Sequence, residues 1–142
     1  VYEYAGLMGR MERLKKEDQE ILEAAAIVHD IGIHRSEEKY GRNTGRYQEI
    51  EGPPEAEKLL AFNSPLMQFS VYGCMVLISW FGARLVVDID GMDYQLLVEA
   101  DFLVNLFEEG ALPETREDVF RRIFRTESGK YLFQQIFSQK TE

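Results

Sequence analysis

Cysteine occurs once in the 142 residues, at Cys74, and histidine only twice, at His29 and His34. A lone thiol excludes an internal disulfide and a thiolate metal cluster, so a reducing cytoplasm is the expected compartment. Histidine chemistry has to sit at one of two positions, or be shared with carboxylates. Long apolar runs are missing as well. A helix that spans a bilayer needs ~20 apolar residues, and the longest candidate, Val71 to Val87, is broken by Gly73, Ser79, Gly82 and Arg84. No signal peptide is visible, because Val1 to Leu14 carries charge throughout and lacks an apolar stretch. Positive charge is scarce too. Sixteen Lys and Arg stand against 25 Asp and Glu, a formal net charge of -9, which argues against a general nucleic-acid binder and against binding to an anionic membrane.

What is present suits a globular chain: 45% hydrophobic and 29% charged residues exclude a disordered composition. The length fits one domain, residues 1–142, with a single core. The chain starts at Val1 with helix-like sequence at once, so the expectation is a truncated N-terminus. Helical spacing of Val1, Tyr4, Ala5, Met8 and Met11 predicts a first helix over Val1 to Leu14. A second is expected from Lys16 to Asp30, with Glu17, Asp18 and Glu20 in the first turn, where the helix dipole favours negative charge. Gly32 is expected to end it. Ile33 to Gly52 shows no clean period and reads as a long loop marked by Gly41, Asn43, Thr44, Gly45 and Gly52. Pro53 and Pro54 are expected to open a short helix to about Phe62, and Ser64-Pro65 another to about Ser79. Trp80 to Gly91 is the least legible stretch. Met92 to Glu109 is a helix whose apolar residues, Leu96 to Phe107, wrap most of its circumference and predict burial. Helices over Glu114 to Thr126 and Ser128 to Phe137 complete an all-α bundle of about six or seven helices.

The residues that could carry chemistry are few. A His-Asp dipeptide arises by chance in roughly one chain of this length in six, so His29–Asp30 gains weight only from context. The pair closes an Ala-rich apolar helix, which places two polar ligand types where the helix leaves the core. Imidazole with carboxylate suits a first-row divalent ion, or Mg²⁺ with fewer nitrogen ligands. The alternative is a hydrogen-bonded core histidine beside a helix-end carboxylate. Asp101 lies inside the apolar helix between Ala100 and Phe102, where a carboxylate is costly unless paired or metal-bound. A salt bridge to an arginine is the structural alternative. Glu99, two residues earlier, is expected to point elsewhere, either exposed or behind Asp101. Between His34 and Arg46, Arg35, Lys39, Arg42 and Arg46 face only Glu37 and Glu38. A basic loop in an acidic chain can hold an anionic substrate, or it can be a solvated surface. The phenylalanines Phe120, Phe124, Phe133 and Phe137 are expected in the core, with a homodimer surface as the alternative.

The string AAAIVHDIG from Ala24 to Gly32, followed by Glu99-Ala100-Asp101, resembles the HD superfamily of metal-dependent phosphohydrolases. Tyr47 to Pro54 (YQEIEGPP) and the run from Asp90 to Asn105 are similar to a bacterial subgroup of HD-domain proteins. That family runs its metal ligands as a His, then His-Asp, then a later Asp, on helices of an α-bundle. The resemblance therefore implies that His29, Asp30 and Asp101 hold a divalent metal ion (Mn, Fe, Ni, Zn or Mg). It departs in three places. The family's first histidine falls before Val1. Where a further histidine often stands, this chain has Glu51, which could replace it as oxygen ligand or base, or merely cap the Pro53 helix. Ser79 to Asp88 (SWFGARLVVD) has no histidine where similar proteins cluster them.

The implied activity is hydrolysis of a phosphomonoester or nucleotide. The catalytic roles fall to Asp30 and Glu51, and the substrate phosphate to Arg35, Lys39, Arg42 and Arg46. The competing expectation is a catalytically impaired HD fold that binds a nucleotide or a protein partner, suggested by the depleted histidines and by Trp80 and Phe81.

Overall fold

In a computed structural model the described residues are 1–60 and 91–137. Among them the fold is all-α, with seven helices: α1 Tyr2–Met11, α2 Lys16–Val28, α3 Gly32–Tyr40, α4 Gly45–Leu60, α5 Met92–Glu108, α6 Pro113–Ile123 and α7 Glu127–Phe137. The expected helix from Ser64, the illegible stretch after it, and Cys74, Trp80 and Phe81 lie outside these residues.

The core is built where the helical spacing is clearest. Ala5 and Met8 of α1, Leu22, Ala25 and Val28 of α2, and Leu96, Leu97, Ala100 and Leu103 of α5 are almost wholly buried. Fully burying a side chain such as Leu22 or Met8 contributes about 1.5–3 kcal/mol, and Ala25 and Ala26 let the helix axes approach. Every residue from Tyr94 to Ala100 is buried, so about two turns of α5 beyond its exposed Met92 are covered all round. The expectation of burial fails at the far end, where Phe107 is exposed. Phe133 packs against Phe120, Phe124 and Phe137 with centroids 4.7, 5.0 and 4.7 Å apart. These rings meet one another within the chain and extend its core.

The main departure lies between Ile33 and Gly52. It is a pair of helices, α3 and α4, joined by a short connection, and not a long loop. The buried positions of α3 are Gly32 and Ser36, small residues at i and i+4 that carry no apolar signal. Ser36 Oγ donates to the Gly32 carbonyl at 2.6 Å, and a Cβ on Gly32 would come within 2.9 Å of the Gln48 carbonyl oxygen and the Gly52 nitrogen of α4. Gly32 thus permits a close helix crossing and opens α3; α2 has already ended at Val28. Gly41 does stop a helix, in the left-handed conformation at φ 67°. Pro53 and Pro54 sit inside α4 instead of opening it; each removes one backbone N–H donor from the helix.

Candidate metal centre

The path from α2 to α3 stays close to helical: His29 and Ile31 have right-handed backbones, and tight turns bond Ile31 N to Val28 O and Ile33 N to Asp30 O. This brings His29 back over its own helix, where Nδ1 lies 2.9 Å from the Ala26 carbonyl oxygen. A carbonyl only accepts, so Nδ1 carries hydrogen and Nε2 is turned away from the helix. Nε2 stands 3.2 Å from Asp30 Oδ2 and 3.5 Å from Asp101 Oδ1 of α5. His29 and Asp101 are nearly covered, at 11% and 13% side-chain exposure, whereas Asp30 is half open at 51%. Burial acts against a charged imidazole here, but Asp101 and then Asp30 outweigh it and push the His29 pKa up to about 10. Asp101 is braced in turn: Asn105 Nδ2, one turn further along α5, donates to its Oδ2 at 3.0 Å. Among the described residues the partners of Asp101 are this histidine and amide, and not an arginine.

The structure therefore brings together His29, Asp30 and Asp101. Bonds of ~2.1 Å to one ion place neighbouring donors ~3.0–3.4 Å apart; the spacing from Nε2 to Asp30 falls in that range and the spacing to Asp101 lies just beyond it. Among the described residues no group of three or more His, Cys, Asp or Glu side chains is placed to hold a metal ion as it stands. What stands there is an ion triad in which two carboxylates share one imidazole edge.

Glu99 corrects another expectation. It is neither exposed nor behind Asp101; it is 0% exposed and turned to the junction of α6 and α7. Its Oε1 accepts from Gln95 Nε2 at 2.5 Å, Arg125 N at 2.6 Å and Thr126 N at 3.0 Å, and its Oε2 from Thr126 Oγ1. Glu51 is likewise tied up. It lies inside α4, too late to cap that helix, and its Oε1 accepts from Lys39 Nζ at 2.6 Å and Tyr40 Oη at 2.8 Å. Lys39, then Tyr40, hold its pKa below the usual carboxylate value.

The four expected phosphate-binding cations do not act as one group. Lys39 serves Glu51. Arg42 donates to the Tyr47 hydroxyl at 3.1 Å and lies over that ring, which stacks on Tyr40 at 4.1 Å. Arg46 is exposed. Arg35 pairs with Glu38 at 2.5 Å and lines a cleft of about 500 Å³ between α3 and α4, together with Ile31, His34, Glu55 and Lys58. His34 and Lys58 escaped the sequence reading. The i, i+4 step from Asp30 to His34 would have pointed to the first had α3 been read as helix.

No family model, curated protein or solved structure matches this chain.

Proposed function

We propose that this chain is a divalent-metal-dependent phosphohydrolase of the HD type, acting on a phosphomonoester or nucleotide. The observation that carries the reading is the meeting of His29 Nε2 with Asp30 and Asp101, from two helices far apart in sequence. Nothing in local sequence requires the Asp101 carboxylate to face the end of α2. A bound divalent ion would supply Lewis acidity and lower the pKa of a coordinated water from ~15.7 towards ~7.

The chain's own groups have separable parts in that chemistry. Ala26 fixes the ring of His29 so that Nε2 is the ligating edge. Asn105 holds one oxygen of Asp101 and leaves the other directed at the site. Asp30, the most open of the three, can orient a water molecule and take its proton. Arg35, half exposed and a few residues beyond Asp30, offers a guanidinium to the phosphoryl oxygens. Glu51, engaged by Lys39 and Tyr40, supports the architecture of α3 and α4 in this reading, and the proton-transfer role rests on Asp30 alone.

Metal analysis of the natively purified protein tests the reading. Stoichiometric Mn, Fe, Ni or Zn is expected, lost in His29→Ala and in Asp101→Ala, with metal-dependent release of phosphate from p-nitrophenyl phosphate. Absence of metal from the native protein would overturn it. One observation favours a second reading, a fold that binds a nucleotide or protein without turnover: only one imidazole stands among the gathered donors. A metal-loaded protein that hydrolyses no phosphomonoester would decide for that reading.

A further inference from the structure

The cleft between α3 and α4 has a lining that selects for one kind of ligand. Its volume, about 500 Å³, falls in the range of roughly 300–1,000 Å³ usual for small-molecule sites. Such sites are mostly apolar, but Ile31 is the only apolar side chain among the described residues that line this one. The rest are two cations, two carboxylates and an imidazole: Arg35, Lys58, Glu38, Glu55 and His34. Asp30 does not itself line the cleft; Ile31, the residue after it, does.

Each cation already has a carboxylate partner, Arg35 with Glu38 at 2.5 Å and Lys58 with Glu55 at 2.7 Å. An anion without hydrogen-bond donors would gain Arg35 and Lys58 but meet two carboxylates that it can only repel. A phosphate ester whose carbon skeleton carries hydroxyl groups answers both signs, with its phosphate on the cations and its O–H groups donating to Glu38 and Glu55. The described lining residues include no aromatic ring of the kind on which a nucleobase stacks.

We propose that the cleft formed by His34, Arg35, Glu38, Glu55 and Lys58 binds the phosphomonoester of a polyhydroxylated carbon skeleton, a sugar phosphate. As a substrate site this rests on the phosphohydrolase reading; as a binding site it stands without it.

The test is calorimetric titration of the intact chain in EDTA, so that no metal contributes. The probes are ribose 5-phosphate, phenyl phosphate, AMP and inorganic phosphate. Ribose 5-phosphate should bind about tenfold more tightly than phenyl phosphate, the size of one good hydrogen bond to a charged group. AMP should bind no more tightly than ribose 5-phosphate. Glu38→Ala and Glu55→Ala should each reduce the preference over phenyl phosphate, and Lys58→Ala should weaken every probe. These side chains lie at the surface, and an unchanged circular dichroism spectrum shows that each variant folds. Equal affinity for ribose 5-phosphate and phenyl phosphate, a preference kept in both glutamate variants, much tighter binding of AMP, or no binding of any probe would each overturn the proposal. Sugar-phosphate binding without metal-dependent turnover leaves the cleft intact and defeats the phosphohydrolase reading. Turnover without the preference does the reverse.

Discussion

Glu99 and Asp101 stand two residues apart on one helix, and the fold uses them in opposite ways. Glu99 has no exposed surface and is enclosed by donors from Gln95, Arg125 and Thr126. Its work is internal: it satisfies backbone N–H groups at the junction between α6 and α7, where Thr126 Oγ1 in turn accepts from Gly129 N at 3.0 Å. Glu12 completes the arrangement by accepting from Ser128 N at 2.7 Å, which ties α1 to the same helix start. Asp101 instead meets an imidazole across the helix packing and is held by an amide on its other oxygen. A buried carboxylate thus marks a functional site only when its partners leave it a role besides holding the backbone. By burial alone, Glu99 would have been the stronger candidate.

The largest expected effect follows from Glu99. Glu99→Ala should destabilise the chain by about 3–5 kcal/mol, because several buried donors lose their acceptor together. Urea unfolding checks this, and a loss below about 1 kcal/mol would break the contrast. Gly129→Ala sharpens it. A Gly→Ala change in a helix commonly stabilises by about 0.5–1 kcal/mol, but here the added Cβ would overlap Glu99 Oε2, and a lowered melting temperature is expected.

Asp101→Ala should show the reverse balance. Its cost in stability is expected to be about 1–2 kcal/mol, since His29 can give up its proton once the carboxylate is gone. Bound metal should fall from stoichiometric to none. A variant that loses its fold and its metal together would make Asp101 a structural residue like Glu99. Asn105→Ala is the milder version: metal affinity should drop about 10–100-fold, as for other groups that orient a ligand. Its urea midpoint should stay unchanged, because the amide is exposed. Asn105→Asp, which puts a like charge beside Asp101, should not restore the affinity.

Much of this was legible in the sequence wherever large apolar side chains marked the buried face. Met8, Leu22, Leu96 and Leu103 announced α1, α2 and α5, and observed helix ends fall within a few residues of those expected. The same logic hid α3 and α4, which come closest where Gly32 meets Gln48 and Gly52. Small residues allow close packing without altering the hydrophobic period. The donors of the candidate centre could be named from residue types, because few histidines were available. Their convergence could not, since it depends on how α5 crosses the end of α2. The different fate of Glu99 was equally hidden, as its partners Arg125 and Thr126 lie 26 and 27 residues away.

Glu51 gives the smallest effect and places a third carboxylate between the two extremes. It is buried as a residue, yet its partner Lys39 is half exposed, so solvent screens the pair and its contribution is modest. Lys39 and Tyr40 lower the Glu51 pKa in the folded chain. The stability it adds is therefore fully present above the ordinary carboxylate value and is lost as pH falls through the lowered one. Protection factors for amide hydrogen exchange across α3 and α4 should accordingly fall below about pH 4.5. In Glu51→Gln that acid dependence should flatten, while metal binding at His29 and Asp101 stays intact. If Glu51→Gln instead releases the metal, Glu51 belongs with Asp101 and not with Glu99, and the sequence-based expectation of a catalytic or ligating role for it regains its force.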